Sequence, residues 1–233
     1  MQVRFEDFDP WKFSFHEDPV LVLEEVWKDE ERKYFQEAMR RAAWKPLRDM
    51  AHLHEAFPNC GNWNKAEIAQ GEAKVFLDGL AFPCIMDYME SFPNTIRRHM
   101  SFNYYAYAAG DCLLTHDDTV QANGADGRTG ERCAPLRRLA VVAYLHDEWQ
   151  PDWGGELIVY HATQGQGASS RLAITHCIAP QPGSLVIFTV PRFHRVSRVD
   201  PAGGDVQRLS IAGWFMTEHD ECSVRPPHVF INS

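Results

Sequence analysis

Short apolar segments separated by turn signals are the feature of this sequence that most restricts its fold. Four such segments, rich in β-branched or aromatic residues, are Arg138 to Leu145, Glu156 to Tyr160, Ser184 to Val190 and Leu209 to Phe215. Glycine and proline turns separate them, namely Trp153-Gly154-Gly155, Pro182-Gly183 and Pro201-Ala202-Gly203-Gly204. Strands this short, with turns this frequent, predict a β-sandwich or barrel between about Ser101 and Thr217.

The first part of the chain has a different pattern, which indicates helices. Val20 to Val26 predicts a short strand, and Asp29 to Ala43 has apolar residues at helical spacing. A second helix is predicted over Glu72 to Met89, where Pro83 interrupts or splits it. We therefore expect a helix-rich region over residues 1–98, packed on a β core over residues 99–217. Residues 218–233 form a C-terminal tail, and the whole is expected to be one structural domain.

Composition excludes some classes of protein. The chain has 233 residues and a formal net charge of −9, so a global basic footprint for nucleic acid is absent. No apolar run reaches the roughly 18 residues of a membrane span, and the N-terminus lacks the apolar core of a signal peptide. Six cysteines form no Cys-X-X-Cys pair and are predicted to be reduced thiols. We expect a cytoplasmic protein that binds neither nucleic acid nor membrane.

The triplet His116-Asp117-Asp118 carries the strongest chemical signal. On a strand, alternate residues point to the same face, so His116 and Asp118 are expected to aim into one cavity. They supply two parts of the facial triad of two histidines and one carboxylate, which leaves open positions on Fe(II). The triplet alone is weak, because it occurs often by chance. His194 is the candidate third ligand, because it follows the apolar segment Ser184 to Val190.

The order of motifs along the chain makes this signal specific. The motifs are Tyr107 and Gly110, His116-Asp117-Asp118, Tyr144-Leu145, Gly154-Gly155-Glu156-Leu157, Pro182 to Phe188, His194 and Arg208-Leu209-Ser210. This order resembles the 2-oxoglutarate/Fe(II) dioxygenases, in particular their prolyl-4-hydroxylase-like branch, over Asn103 to Phe215. The resemblance implies a mainly β fold with some α: a double-stranded β-helix core (jelly roll, cupin-like) with supporting N-terminal helices.

The resemblance also implies a role for each matched residue. His116, Asp118 and His194 match the iron ligands, and Arg208 matches the basic residue that pairs with the distal carboxylate of 2-oxoglutarate. Arg208 lies further from the histidine than is usual in this branch, and we attribute the excess to the turn from Pro201 to Asp205. If that interpretation is wrong, Arg198 is the alternative anchor.

Three further residues are assigned to the cosubstrate. Tyr107 and Tyr144 match tyrosines whose hydroxyls contact the same carboxylate, although Tyr144 is also an ordinary core candidate. Ser210 is expected to face the same side as Arg208, because it lies two residues further along a strand. The implied cofactors are Fe(II), 2-oxoglutarate and O2, with ascorbate as a candidate reductant.

The predicted activity is hydroxylation of a C–H bond in a prolyl, amino-acid-like or peptide substrate, with release of succinate and CO2. The partner is therefore a small molecule or a peptide. A halogenase is disfavoured because Asp118 is present, and a nucleic-acid demethylase is disfavoured because Trp214 stands where those enzymes carry a second arginine. The alternatives are a non-catalytic barrel and a cupin-type metal barrel that does not use 2-oxoglutarate, for which Arg208 is not needed.

Other conspicuous residues receive plainer interpretations. Gly154-Gly155 is read as a turn, and Trp153 and Trp214 as packing residues. The segment Gln121 to Pro135 is a candidate mobile lid. His146, His161 and His176 are interpreted as ordinary polar or loop histidines. The pair His52 and His54 has the spacing of a metal site but lies outside the family core, so a surface or substrate-side role is favoured.

Overall fold

The computed structural model describes residues 1–93, 101–119, 135–163 and 171–218 of the chain. Strands dominate this part. They are β1 Gln2–Arg4, β2 Val20–Glu24, β3 Lys45–Pro46, β4 Asn64–Glu67, β5 Ser101–Tyr107, β6 Leu113–His116, β7 Leu136–Tyr144, β8 Leu157–Thr163, β9 Arg171–Ile178, β10 Leu185–Thr189, β11 His194–Val196 and β12 Arg208–Thr217. The α-helices are α1 Asp29–Arg41, α2 Ala51–Ala56, α3 Gln70–Asp78 and α4 Pro83–Glu90.

The strands form two sheets. One has eight strands in the order β1-β2-β10-β7-β12-β5-β4-β3, and the other has four in the order β6-β11-β8-β9. The pairings among β5 to β12 are antiparallel. From β5 to β12, successive strands alternate between the large and the small sheet, except that β8 and β9 form a hairpin within the small sheet. This arrangement confirms the predicted double-stranded β-helix.

The central strands of the large sheet have two buried faces, because side chains alternate along each strand. On β7, Leu139 and Val141 pack in the cluster that meets the helices, whereas Ala140 packs against the small sheet. On β10, Ile187 faces the helices and Phe188 the small sheet. A strand covered on both sides reads as a continuous apolar run, which explains why these segments could be recognised in the sequence.

Aromatic packing fastens the helices to the outer face of the large sheet. Phe35 on α1 and Phe76 on α3 are fully buried and both contact Trp27, whose ring stacks on Phe76 with centroids 5.3 Å apart. Phe76 also meets Phe102 of β5 at 5.1 Å. Each ring removes enough apolar surface from water to contribute about 2–3 kcal/mol.

The N-terminal region contributes strands as well as helices. The sequence predicted one strand there, whereas β2 pairs with β10 and β4 pairs with β5, so two of its strands extend the barrel's own sheet. Because hydrogen bonds join the two regions, we propose that they form one structural domain. The predicted break at Pro83 is confirmed, since Pro83 is the first residue of α4, where its missing N–H costs no bond.

Strand β9 was not recognised in the sequence. It lies at the edge of the small sheet and is exposed over most of its length, so its residues show no clear apolar pattern. In the described residues, Cys60, Cys84, Cys112 and Cys177 are free thiols, and only Cys177 is exposed. Within that same part of the chain, every helix is too short or too polar to cross a bilayer.

Candidate metal centre

The small sheet places two histidines side by side. His116 is the last residue of β6, His194 is the first residue of β11, and the two lie directly opposite each other across the antiparallel pair. Directly opposite residues share a face of the sheet. Their ring centroids are 4.2 Å apart, and His194 is buried.

Asp118 reaches the same point by a different route from the one expected. Strand β6 ends at His116, so alternation along a strand does not aim this carboxylate. The backbone of Asp118 is in the left-handed region, with φ at 63°, which is uncommon for a residue other than glycine. The turn leaves Asp118 buried, with Oδ1 3.4 Å from Nε2 of His116 and Oδ2 3.5 Å from Nε2 of His194. One ligand atom from each of the three residues lies within 4.8 Å of the others.

Hydrogen bonds set the histidine rings in a state suited to metal binding. Nδ1 of His116 lies 2.8 Å from the carbonyl of Leu114, and Nδ1 of His194 lies 2.8 Å from the carbonyl of Arg192. A carbonyl only accepts, so each Nδ1 donates, and Nε2 of the neutral ring keeps its lone pair. Both Nε2 atoms face Asp118, and a group of two imidazoles and one carboxylate fits Fe(II).

Electrostatics agree with that state. Burial, together with the neighbouring His116, lowers the pKa of His194 to about 4, so the ring is neutral at pH 7. For Asp118, burial raises the pKa. The neighbours His194, His116 and Arg137 outweigh that effect and hold the pKa below its usual range, so the carboxylate is ionised.

A tryptophan and an arginine from the large sheet contact the same carboxylate. Trp214 of β12 donates its indole N–H to Oδ2 of Asp118 at 2.7 Å. Arg137 of β7 donates to Oδ1 at 3.3 Å and to the backbone carbonyl of Asp118 at 3.2 Å. The guanidinium of Arg137 lies over the Trp214 ring, 3.6 Å from its centroid.

The second predicted element of the site is a buried cation. Arg208 begins β12 and is 2% exposed. Its Nε donates to the carbonyl of Gly155 at 2.8 Å, and its NH2 donates to the hydroxyl of Tyr144 at 3.2 Å. The guanidinium lies 4.7 Å from the ring centroid of Tyr144 and 5.4 Å from that of Tyr107. No carboxylate among residues 1–93, 101–119, 135–163 and 171–218 forms an ion pair with it.

Strand register places the other predicted cosubstrate residues beside Arg208. Tyr107 lies directly opposite Arg208 on β5, and Tyr144 lies directly opposite Ser210 on β7. All four side chains therefore share the inner face of the large sheet. Burial raises the pKa of Tyr107 and of Tyr144, although Arg208 opposes both shifts, so each hydroxyl keeps a proton to donate.

The remaining predicted residues lie elsewhere. Arg198 is exposed, and its guanidinium donates to the carbonyls of Gly110 and Asn59. His52 and His54 lie on α2 and do not join the cluster. Of the candidate lid, only Pro135 is among the described residues. His146 is buried and faces the carbonyl of Pro180 at 2.6 Å, so it is a satisfied core histidine.

Two contacts were missed by sequence reasoning. Gly155 was interpreted as part of a turn, and it does have φ at 71°, but its carbonyl also holds Arg208. A Cβ at Gly155 would lie 3.0 Å from Cδ of Arg208, so the close approach requires glycine. Trp214 was interpreted as a packing residue, whereas its N–H binds Asp118. The Gly-Gly pair was a usable signal for the first contact, and nothing in the sequence marked the second.

Comparison with known proteins agrees with this geometry. A family model described as the 2OG-Fe(II) oxygenase superfamily matches residues 100–216. Prolyl 3-hydroxylase OGFOD1 of Mus musculus is 32% identical over 126 residues, which are 53% of this chain and 19% of that protein. The chain therefore spans only about a fifth of that relative's length.

Solved structures share the fold at low identity. A prolyl-4-hydroxylase of Pseudomonas putida superimposes with a TM-score of 0.61 at 19% identity, over 88% of this chain and 96% of that one. HygX of Streptomyces hygroscopicus, solved with nickel, 2-oxoglutarate and hygromycin B, has a TM-score of 0.57 at 14% identity, over 87% of this chain and 84% of that one. At these identities the likeness shows the fold alone.

Proposed function

This chain belongs to the 2OG-Fe(II) oxygenase superfamily, and we propose that it hydroxylates a prolyl residue of a peptide or protein. Fe(II) and 2-oxoglutarate are the cofactors of the family. We assign Fe(II) to His116, Asp118 and His194, and the distal carboxylate of 2-oxoglutarate to Arg208, with the hydroxyls of Tyr107, Tyr144 and Ser210 beside it. Succinate and CO2 are the expected coproducts.

The environment of Arg208 is the observation that carries the proposal. A buried guanidinium is costly unless an anion is paired with it. Arg208 has only neutral partners in the described part of the chain, the carbonyl of Gly155 and the hydroxyl of Tyr144. These partners orient the guanidinium without neutralising its charge. A dicarboxylate supplies the missing anion and matches the planar donor geometry of arginine.

The protein's own residues bind and orient the reactants. The histidines present Nε2 lone pairs because their Nδ1 atoms are bound to backbone carbonyls, and Asp118 supplies the single negative charge of the cluster. Tyr107 and Tyr144 would donate hydrogen bonds to the carboxylate that Arg208 binds. The apolar residues Val186 and Phe188 exclude water from the inner face behind the cluster. When bound, Fe(II) and 2-oxoglutarate together supply the oxidising chemistry.

The prolyl substrate rests on similarity and is the finer part of the proposal. The matched relative is named a prolyl 3-hydroxylase, and a structural neighbour is named a prolyl-4-hydroxylase. Because the match spans 19% of the relative, the activity of that whole protein comes to this chain only as a proposal. A free amino acid or another small molecule remains the competing substrate class.

Anaerobic titration tests the cofactor assignment. We expect the Fe(II) protein to bind 2-oxoglutarate with a visible charge-transfer absorbance. His194→Ala should lose metal and absorbance together, whereas Arg208→Met should keep the metal and lose 2-oxoglutarate affinity. Metal binding without any 2-oxoglutarate affinity in the wild-type protein would instead support the cupin-type barrel.

Substrate class needs a separate assay. Coupled turnover, in which succinate release equals the gain of one oxygen in a proline-containing peptide library, would support prolyl hydroxylation. If succinate release equals hydroxylation with a free amino acid and with no peptide, the substrate is a small molecule and the prolyl proposal is wrong. His194→Ala is the matched control, since it removes turnover while the fold stays intact.

A further inference from the structure

The two oxygens of Asp118 have different neighbours from the large sheet. Oδ2 accepts the indole N–H of Trp214 at 2.7 Å, which is a short hydrogen bond. Oδ1 faces Arg137 at 3.3 Å, which is a long contact. Oδ2 therefore accepts a strong hydrogen bond, whereas Oδ1 accepts only a weak one.

The indole is held in the orientation that makes this bond. Trp214 pairs with Ser101, the first residue of β5, and with Ala140 of β7, so its backbone is fixed on both sides. Arg137 lies over its ring and also binds the backbone carbonyl of Asp118. Trp214, Arg137 and Asp118 thus form a closed triangle in which each side chain contacts the other two.

The backbone position of Asp118 explains why its carboxylate needs support from Trp214 and Arg137. Asp118 lies past the end of an edge strand, so strand pairing does not fix the direction of its side chain. A carboxylate free to rotate can bind a metal ion through one oxygen or through both. Binding through both would fill a position that the facial triad leaves open for other ligands.

We propose that Trp214 is a positioning residue that holds Asp118 as a ligand through one oxygen, by occupying Oδ2. This inference rests on the assignment of Asp118 as a metal ligand. Removal of hydrogen-bonding partners of metal ligands typically costs about 10–100-fold in metal affinity. Trp214 therefore contributes to the metal centre through a contact with the carboxylate, and not as packing alone.

Mn(II) binding to the metal-free protein, followed by electron paramagnetic resonance, tests the idea without turnover. Trp214→Phe keeps an aromatic ring under Arg137 and deletes the N–H, and we expect about a 10-fold or greater loss of Mn(II) affinity. We also expect lower water-proton relaxivity per bound Mn(II), because a second carboxylate oxygen replaces a water. Arg137→Met keeps the indole bond and should lose less affinity than Trp214→Phe.

Trp27→Phe is the matched control. Trp27 is buried in the helix-side core, and its indole N–H finds no hydrogen-bond partner among the described residues, so this change truncates a ring without removing a bond to a ligand. It should lower the melting temperature and leave Mn(II) affinity and relaxivity unchanged. Unchanged affinity and relaxivity in a folded Trp214→Phe would overturn the proposal, as would an equal loss in Arg137→Met.

Failure of the underlying metal assignment gives a different result. Asp118→Ala should abolish tight Mn(II) binding if the carboxylate is a ligand. If Asp118→Ala and the wild-type protein bind Mn(II) equally, the proposed metal site is wrong, and the role of Trp214 is overturned with it. Tight wild-type binding that only Asp118→Ala removes would overturn the role of Trp214 alone.

Discussion

The two faces of the large sheet are built from the same strands but carry opposite chemistry. Along β12, Leu209 and Ile211 pack among the apolar residues under the helices. Arg208 and Ser210 alternate with them and face the small sheet, where the polar groups of the site collect. The outer face stabilises the fold, and the inner face carries the residues to which we assign the reactants. The strand period of two residues therefore separates stability from function at neighbouring positions.

Arg208→Met should break this comparison most strongly. We expect 2-oxoglutarate affinity to fall by on the order of 100-fold or more, because two charge-assisted hydrogen bonds are lost. The melting temperature of the cofactor-free protein should stay the same or rise, because a buried cation without a counter-ion is replaced by an apolar chain of similar volume. Titration calorimetry and thermal unfolding check the two effects; a large drop in stability would show that Arg208 supports the fold.

Ile211→Ala, three residues away on the other face, should do the reverse. It removes fully buried methyl groups under the helices and should cost about 2–5 kcal/mol of unfolding free energy. Affinity for 2-oxoglutarate per folded molecule should stay within about twofold, since the changed side chain faces away from Arg208. Denaturant unfolding measures the first quantity. An affinity loss as large as that of Arg208→Met would mean that the two faces are not separate.

His146 tests the separation of stability from function at a buried titratable residue. It lies just past the end of β7 and is outside the candidate site. Burial, together with the positive charge of Arg208, lowers its pKa to about 4. The unfolded chain takes up a proton near pH 6.5 and the folded chain only near pH 4, so stability is full above pH 6.5 and is lost as the pH falls toward 4. His146→Gln should make that decline shallower in urea unfolding curves, and equal slopes would contradict the assignment.

Ser210→Ala is expected to have the smallest effect. Ser210 shares the inner face with Arg208 but is not charged. Loss of one hydroxyl hydrogen bond to the carboxylate of 2-oxoglutarate should weaken binding by about tenfold, with little change in stability. Calorimetric titration measures this loss of affinity. Unchanged affinity would show that Ser210 only packs on the inner face and does not bind 2-oxoglutarate. Thr189→Val on β10 is a control that removes a buried hydroxyl away from Arg208.

The elements that were predictable from the sequence are those whose reasons are local. Strand β10 is buried on both faces and reads as an apolar run, and α4 begins at its proline. Strand β9 was missed because an exposed edge strand needs no apolar pattern. The two histidines could be recognised by type and position, but the left-handed turn that aims Asp118 leaves no mark on the sequence.

Contacts between distant residues were beyond sequence reasoning for a related reason. Trp214 and Asp118 lie 96 positions apart in the chain, and an indole that binds a carboxylate looks the same in sequence as one that fills a core. Only the register of β12 against β5 and β7 decides which way that ring points. The three residues of the candidate metal cluster could therefore be named from the sequence, and the groups that orient them could not.

The carbonyl of Gly155 that holds Arg208 belongs to the main chain, so no side-chain substitution at that position deletes it. A mutational scan of the site would report Gly155 as intolerant of change, because its positive φ and the tight spacing to Cδ of Arg208 both disfavour a side chain. Such a scan would not reveal that the residue also supplies an acceptor. Part of the anion site is thus encoded in the path of the backbone, and an engineer who uses the ordinary amino acids can alter it only by reshaping the turn. Replacing the amide after Gly155 by an ester would weaken the carbonyl as an acceptor and so test the contact directly.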